Sequence, residues 1–254
     1  MSGMPKWITP DWSAPPNIRA LTTCRQGGVS AAPYDSFNLA AHVDENPVAV
    51  EQNRALLKAQ AALPENPRWL NQVHGIHVVD GAGVNPDRPL PEADASYTTT
   101  AGVVCGVLTA DCLPILLCDK AGSWVAAIHA GWRGLSLGII DAMLHQYPES
   151  AREALLVWLG PAIGPSAFKV SDDVVAQFNH RGFNINDTVF KPLPESKQFL
   201  GNLYALARQR LQALGVLPAH ISGGSYCTYT QSADFYSYRR DGITGRMASL
   251  IWRV

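Results

Sequence analysis

Two histidines and one cysteine stand in short segments whose residue types suit chemistry better than core filling. The segments are NQVHG with His74 (residues 71–75), TADCLP with Cys112 (residues 109–114) and HAGWRG with His129 (residues 129–134). Two imidazoles and one thiolate make a ligand set suited to zinc, with a fourth position left open for water or substrate. Each residue also has an ordinary structural explanation, because a free cysteine is by default a small core hydrophobe.

Histidine spacing in the first segment bears on which imidazole can reach a site. If residues 69–80 form a strand pair or a bent strand, His74 lies on the same face as Gln72, and His77 points to the opposite face. We therefore expect that His74 and His77 do not serve one site together.

The third segment places a glycine-bearing turn between a hydrophobic strand and a helix. Turns of this kind direct backbone N–H groups and the positive end of the helix towards an anion. Gly131 and Arg133 therefore suit a phosphate group. The alternative is a tight turn whose glycines serve backbone geometry alone.

Cys112 follows Asp111 at the end of a buried strand. Pro114 cannot donate to a hydrogen-bond ladder, so we expect the strand to be interrupted there, with the acid and the thiol at the interruption. Cys105 and Cys118 are embedded in apolar strand and fit core filling well. Cys112 fits that explanation less well.

The elements that must position these residues follow from hydrophobic periodicity and turn signals. Helices are predicted at residues 47–62, 135–147, 172–178 and 203–214, the first of them capped by Asn46. Strands are predicted at residues 69–80, 95–109 (a hairpin leading into a buried strand), 115–118, 124–128, 154–159 and 247–254. Strands outnumber helices without regular alternation, which predicts an α+β fold, a layered α/β/α sandwich with a mixed β-sheet.

Composition limits the class of protein and its partners. The chain has 254 residues, 47% hydrophobic and 16% charged, which predicts one globular domain over residues 1–254. A net charge of −1 argues against nucleic acid as a partner. No run approaches the roughly 20 apolar residues of a membrane span. Five cysteines without CxxC spacing, and no secretory signal in residues 1–12, predict reduced thiols and a cytoplasmic location.

Taken together, the three motifs resemble those of the laccase-domain, or polyphenol oxidase, family. Four further stretches match in the family's order: RQGGVS at residues 25–30, SFNL at 36–39, GPAIGP at 160–165 and FYSYRRD at 235–241. The resemblance spans nearly the whole chain. Members of this family are regarded as purine nucleoside phosphorylases with adenosine deaminase activity.

The resemblance implies a site and an activity. Carried over residue by residue, the family's metal ligands fall on His74, Cys112 and His129. These residues would bind zinc or copper. The implied fold is an α/β/α sandwich like that of a deamidating toxin with a Cys-His pair. The implied reactions are phosphorolysis of adenosine, inosine, guanosine and 5′-methylthioadenosine to base and sugar 1-phosphate, and hydrolytic deamination of adenosine. Purine nucleosides and phosphate are then the partners, and we expect a monomer or weak homo-oligomer.

Other polar residues near the motifs are assigned roles on this basis. Arg25, Arg133 and the turn amides at Gly131 are predicted to hold phosphate. Asn38 and Gln72 are predicted to hydrogen-bond base or ribose. The predicted catalytic set is His74, Cys112, His129 and Asp111, in which Asp111 orients a ligand or acts as a base. Structural ion pairs are predicted for Arg239, Arg240 and Arg246.

Three alternatives from other classes stay open. His129 could activate Cys112 as the nucleophile of a metal-free thiol amidase acting on cell-wall peptide precursors. A copper-dependent polyphenol oxidase is suggested by the family's name and by the His₂Cys core of blue-copper centres, although the chain has no HxH or HCH sequence. The third alternative is a noncatalytic binding or regulatory module.

Overall fold

Three β-sheets and the helices around them make up the fold. The computed structural model describes residues 4–85, 89–194 and 196–254. In these ranges the strands are β1 Trp7–Ile8, β2 Ile18–Thr23, β3 Val78–Asp80, β4 Ala95–Thr98, β5 Cys105–Thr109, β6 Leu113–Asp119, β7 Val125–Ala130, β8 Leu155–Leu159, β9 Lys169–Ser171, β10 Phe190–Pro192, β11 Gln198–Gly201, β12 Ile221–Gly223 and β13 Met247–Arg253. The α-helices are α1 Pro47–Gln60, α2 Trp132–Leu137, α3 Ile139–Leu144, α4 Asp172–His180, α5 Leu203–Ala213 and α6 Tyr238–Asp241.

The largest sheet is mixed. Its six strands run in the order β12-β8-β6-β7-β4-β3. The outer pairs β12/β8 and β3/β4 are parallel, and the inner pairs are antiparallel. A four-stranded antiparallel sheet has the order β1-β2-β13-β5, and a small sheet has the order β10-β11-β9. The predicted α+β class with a mixed sheet is confirmed.

The two larger sheets pack face to face because their strands carry apolar side chains on both faces. Leu116 of β6, Val107 of β5 and Ile251 of β13 share the cluster between the sheets. Alternate residues point the other way. Ile115 of β6 packs towards α2, α3 and α5, whereas Leu250 of β13 packs against α1. The helices thus lie outside and the sheets inside, as an α/β/α sandwich requires, with a double β layer.

Helix α1 shows how closely local signals fix an element. The Asn46 side chain accepts a hydrogen bond from the Val48 amide, and Pro47 occupies the first turn. Both features satisfy the predicted start. The last turn ends at Gln60, two residues before the expected end. No helix of the described residues is long and apolar enough to cross a membrane.

Two strand predictions are wrong in part. Residues 69–80 contain only the short strand β3, and His74 has a left-handed φ of 60° in the loop before it. The face assignment of His74, which assumed extended backbone, therefore does not apply. Residues 95–109 do not form a hairpin, since β4 pairs with β3 and β7 whereas β5 pairs with β13 in the other sheet. Local pattern cannot distinguish a hairpin from a crossing between facing sheets.

The predicted helix at residues 135–147 and the break at Pro114 are also revised. Gly138, with a φ of 104°, ends α2 and separates it from α3. Pro114 lies inside β6 opposite His129, near the start of the strand, where a missing N–H is tolerated. The interruption occurs earlier, at residues 110–112, and it holds Asp111 and Cys112 as expected.

Candidate metal centre

His74, Cys112 and His129 converge at one end of the two larger sheets. Cys112 lies on the connection from β5 to β6, His129 lies near the end of β7, and His74 lies in the loop before β3. One ligand atom from each residue lies within 4.8 Å of the others. The Cys112 Sγ is 3.8 Å from His74 Nε2. The structure therefore brings together the three residues that sequence motifs predict as metal ligands.

Asp94 fixes the loop that carries His74. Its fully buried carboxylate accepts hydrogen bonds from the His74 amide at 2.9 Å and from the Gly75 amide at 2.6 Å. These bonds offset the cost of the left-handed backbone at His74, which is unfavourable for a residue with a side chain. His74 itself is exposed, so its imidazole stands on the solvent side of the site.

The same carboxylate orients His129. The Nδ1–H of His129 donates to Asp94 Oδ1 at 2.8 Å, and the His129 amide donates to the Asp94 carbonyl at 2.7 Å. Because Nδ1 is occupied, Nε2 is the ring nitrogen left to face Cys112. A carboxylate behind a histidine in this way fixes the tautomer and ring orientation that metal binding needs.

The charges of the site favour a thiolate at Cys112. Burial alone would raise the pKa of Cys112, but the His129 imidazolium and hydrogen bonds from His129 and His74 lower it to about 6. Burial opposes protonation of His129, yet the Cys112 thiolate and the hydrogen bond to Asp94 raise the pKa of His129 to about 9. The Asp94 pKa is lowered, since its hydrogen bonds to His129 and Gly75 outweigh burial.

Gly131 is required by close approach to the ligands. A Cβ at this position would lie 2.9 Å from Cys112 Sγ and 3.0 Å from His74 Cδ2. The first contact is closer than real Cβ atoms show, and the second would require the His74 ring to move by a few tenths of an ångström. The glycine of HAGWRG thus makes room for the site, and its φ of −60° is open to any residue.

The donor set fits a metal such as zinc. It offers two imidazole nitrogens and a sulfur that is readily deprotonated, the ligand types zinc prefers. One histidine is held by a carboxylate, and the exposed side of the cluster leaves room for a further ligand. Three protein ligands with an open position are typical of catalytic rather than structural zinc sites.

Asp111 lies beside Cys112, but its carboxylate has partners elsewhere. The backbone φ of Asp111 is 95°. Its Oδ1 accepts from the Thr228 hydroxyl at 2.6 Å, and its Oδ2 accepts from the Arg239 amide at 2.7 Å. These bonds tie the strand connection to α6.

Asn38 and Gln72 are committed to the backbone. The Asn38 amide is fully buried and bonds both the amide and the carbonyl of Ala40, and its Oδ1 also accepts from the Arg246 amide. The Gln72 side chain bonds the amide and the carbonyl of Leu108, each at 2.8 Å. Contact with a substrate would require either side chain to exchange these partners.

The predicted phosphate residues lie in different surroundings. Arg25 donates to the Asp35 carboxylate at 3.3 Å and packs over the Tyr236 ring. Arg133 is exposed and its guanidinium lies 4.6 Å from the Trp132 ring centroid.

One of the three predicted ion pairs is present in the described part of the chain. Arg240 pairs with Asp241 at 2.7 Å. Arg239 donates instead to the Lys169 carbonyl. Arg246 donates to the carbonyls of Thr244 and Gly245.

Sequence reasoning missed Asp94. Its segment, PEADAS at residues 91–96, has no spacing relation to the histidines it contacts. An acid among small residues just before a buried strand was the only signal, and it resembles any turn.

One cavity of the structure lies along α1. Its volume is about 800 Å³, and Arg54, Lys58 and Trp69 are among the residues that line it. None of His74, Cys112 and His129 lines it.

Comparison with known proteins gives consistent results. A family model described as multi-copper polyphenol oxidoreductase laccase matches residues 19–254. The purine nucleoside phosphorylase of Pseudomonas aeruginosa is 49% identical over 249 residues, which are 98% of this chain and 99% of that protein. Purine nucleoside phosphorylase YfiH of Escherichia coli K12 is 46% identical over 251 residues, which are 99% of this chain and 100% of that protein.

Solved structures agree with the sequence matches. A protein of Neisseria meningitidis, 45% identical, superimposes with a TM-score of 0.89 and covers 97% of this chain and 98% of that chain. YlmD from Geobacillus stearothermophilus, 33% identical, gives a TM-score of 0.82 over 94% of this chain and 92% of that chain. The motif resemblance is confirmed, and the chain belongs to the multi-copper polyphenol oxidoreductase laccase family.

Proposed function

We propose that this protein is a purine nucleoside phosphorylase that works at the His74, Cys112 and His129 site. The observation that carries the proposal is similarity along nearly the whole chain to relatives named purine nucleoside phosphorylases. Substrates would be adenosine, inosine, guanosine and 5′-methylthioadenosine, each giving a free base and sugar 1-phosphate. Hydrolytic deamination of adenosine is proposed as a second activity of the same site.

The three residues would hold a zinc ion, with copper as the alternative metal. When bound, zinc supplies Lewis-acid chemistry and lowers the pKa of a water molecule towards neutrality. The donor set supports this choice, because the site offers a thiol with a pKa of about 6 that gives up its proton at little cost. Elemental analysis of the purified protein distinguishes zinc from copper.

The remaining residues of the site would orient the two histidines and hold the substrates. Asp94 keeps His129 Nδ1 protonated, so that Nε2 stays available as a ligand. It also holds the loop that presents His74 on the open side, where a nucleoside would enter. Asp111, Asn38 and Gln72 remain predictions as substrate-side residues, as do Arg25, Arg133 and Gly131 for phosphate. One domain, a cytoplasmic location and a monomer or weak homo-oligomer also remain predictions.

Product analysis tests this proposal. Purified protein is incubated with adenosine, with and without phosphate, and inosine, adenine and hypoxanthine are resolved by chromatography. We expect adenine only with phosphate and inosine under both conditions. His74→Ala and Cys112→Ala should lose both products, whereas His180→Ala, which removes an exposed histidine on α4, should retain them. Products that persist in the first two variants would contradict the assignment of the site.

A second candidate, a thiol amidase, is favoured by one specific geometry. The Cys112 thiol lies within 4.8 Å of the His129 imidazole, whose Nδ1 is bonded to the Asp94 carboxylate. A cysteine nucleophile activated by a histidine that a third group orients is the arrangement of thiol hydrolases. Metal-free protein that still hydrolyses cell-wall peptide amides and loses this activity on thiol alkylation would favour the amidase. Loss of activity on chelation and its return with zinc would favour the phosphorylase.

A further inference from the structure

Arg246 stands beside the candidate metal centre without a carboxylate partner. Met247 pairs with Thr109 at the end of the β13/β5 ladder. The antiparallel register therefore places Arg246 next to the connection that carries Asp111 and Cys112. The Arg246 backbone amide donates to Asn38 Oδ1 at 2.9 Å, which fixes the chain at this point.

The guanidinium of Arg246 retains free donors. Its Nη1 donates to the carbonyls of Thr244 at 2.7 Å and Gly245 at 3.1 Å. Its Nε and Nη2 make no hydrogen bond with any residue that the structure describes. No carboxylate within those ranges lies at ion-pair distance from Arg246. A half-buried guanidinium that is not paired with a carboxylate has donors available for an anion.

A second guanidinium and an imidazole, those of Arg54 and His42, belong to the same region. Leu39 connects Arg54 to Arg246, because the Leu39 amide donates to the Arg246 carbonyl and the Leu39 carbonyl accepts from Arg54 Nε at 2.9 Å. Arg54 likewise has no ion-pair partner among the described residues. His42 lies three residues after Leu39 and is exposed.

The electrostatic effects on His42 and Arg246 agree with this arrangement. Partial burial and then the positive charges of Arg246, Arg54 and His129 lower the pKa of His42. Burial lowers the pKa of Arg246, against the opposing effect of the negative charges of Cys112 and Asp111. His42 is thus surrounded by cations, and Arg246 lies within electrostatic reach of the thiol.

We propose that Arg246, with Arg54 and His42 beside it, binds the phosphate co-substrate next to Cys112. This proposal rests on the proposed phosphorylase function. It makes Arg246, in place of Arg25 and Arg133, the principal phosphate ligand. Arg25 already has a carboxylate partner, and Arg133 is exposed, whereas Arg246 is half-buried. The free Nε–H and Nη2–H of Arg246 form the planar fork that binds two oxygens of a phosphate.

The position suits the reaction. A phosphate oxygen would form the new bond to the anomeric carbon of the sugar as the bond from that carbon to the purine nitrogen breaks. The electron pair of the broken bond goes to the purine, and the proton of the hydrogen phosphate ends on the departing base. The Arg246 guanidinium would hold the phosphate during this exchange and would not itself transfer a proton.

Separate measurement of phosphate and nucleoside binding tests the proposal. The variants are Arg246→Gln, Arg246→Lys and His42→Gln, with Arg19→Gln as the matched control. Arg19 pairs with Trp252 near the far end of β13, roughly 20 Å from Arg246 at 3.3 Å per residue. For each protein, KM values for phosphate and inosine are measured, and the Kd for inorganic phosphate is determined by calorimetry without nucleoside.

We expect Arg246→Gln to raise the KM and the Kd for phosphate about 10- to 100-fold, because a charge-assisted hydrogen bond pair is lost. The KM for inosine should change by less than about threefold. Arg246→Lys should recover part of the loss because it keeps the charge but not the fork. His42→Gln should raise the phosphate Kd about threefold, and Arg19→Gln should leave it unchanged.

Several results would overturn the proposal. One is an unchanged phosphate Kd in folded Arg246→Gln, and another is an equal rise in the inosine and phosphate KM values, as a purely structural role predicts. A phosphate Kd that rises in Arg133→Gln but not in Arg246→Gln would show that Arg133, and not Arg246, binds phosphate. Thermal denaturation checks folding, and if Arg246→Gln does not fold, Arg246→Lys and His42→Gln must show the selective phosphate effect. If the wild-type protein binds phosphate through Arg246 but makes no sugar phosphate, the phosphorylase function is refuted and the phosphate site at Arg246 still stands.

Discussion

The carboxylate of Asp94 accepts a hydrogen bond from His129 Nδ1 at 2.8 Å, in a pair that is buried on both sides. This contact joins two strands of the six-stranded sheet, since Asp94 immediately precedes β4 and His129 lies in β7. The same carboxylate binds the loop of His74. One acidic side chain therefore controls the orientation of both histidines of the candidate metal centre.

Replacing Asp94 should weaken metal binding. Asp94→Asn keeps the shape but removes the charge that holds His129, and we expect zinc affinity to fall about 10- to 100-fold. Competition with a chromophoric chelator measures this affinity. Asp119→Asn is the control, because Asp119 is also a buried aspartate but lies at the other end of the β6/β7 hairpin. An equal loss of affinity in both variants would show a general effect on folding.

Cys112 should be unusually reactive in the metal-free protein. Its pKa of about 6 lies below the ordinary value of 9.0, so thiolate is present above about pH 6 and is lost as pH falls through that value. Alkylation of Cys112, followed by peptide mass spectrometry, should rise with pH to a plateau with its midpoint near 6. In His129→Ala the midpoint should move towards the ordinary value, because the stabilising imidazolium is gone. A midpoint that stays in place would contradict the coupling.

The space at Gly131 should be indispensable. Gly131→Ala puts a methyl group within 2.9 Å of Cys112 Sγ, so we expect displaced ligands and at least about a 100-fold loss in kcat/KM. Gly83→Ala is the control, since a Cβ there meets nothing within 4 Å. Activity and bound metal are measured on both proteins. Normal metal content and activity in Gly131→Ala would show that a methyl group fits at this position and that the predicted clash with Cys112 is wrong.

Gln72 should stabilise the folded protein rather than contact the substrate. Gln72→Ala leaves the amide and carbonyl of Leu108 without partners, and we expect the free energy of unfolding to fall by about 1–3 kcal/mol. Gln209→Ala removes the same kind of paired contact, to Asn184, but these hydrogen bonds are exposed to solvent, and their loss should cost less than about 1 kcal/mol. Urea denaturation measures both values. A normal unfolding energy together with a raised KM for nucleoside would instead support the predicted substrate contact.

Several features of this protein follow from its sequence alone. Residues Asn46 and Pro47 fix the start of α1, and the turn at residues 119–122 fixes the β6/β7 hairpin, because caps and tight turns depend on neighbouring residues. The cluster of His74, Cys112 and His129 was also predictable, since the three residues lie in distinctive motifs.

Other features were decided by tertiary structure. The strands β4 and β5 adjoin in sequence but enter different sheets, a choice made by distant partners in β7 and β13. Asp94 reaches His129 across 35 positions, and Gln72 reaches Leu108 across 36. Side chains that look free in the sequence are thus committed to partners, because most buried polar groups need a hydrogen bond and only the folded chain shows which partner is within reach.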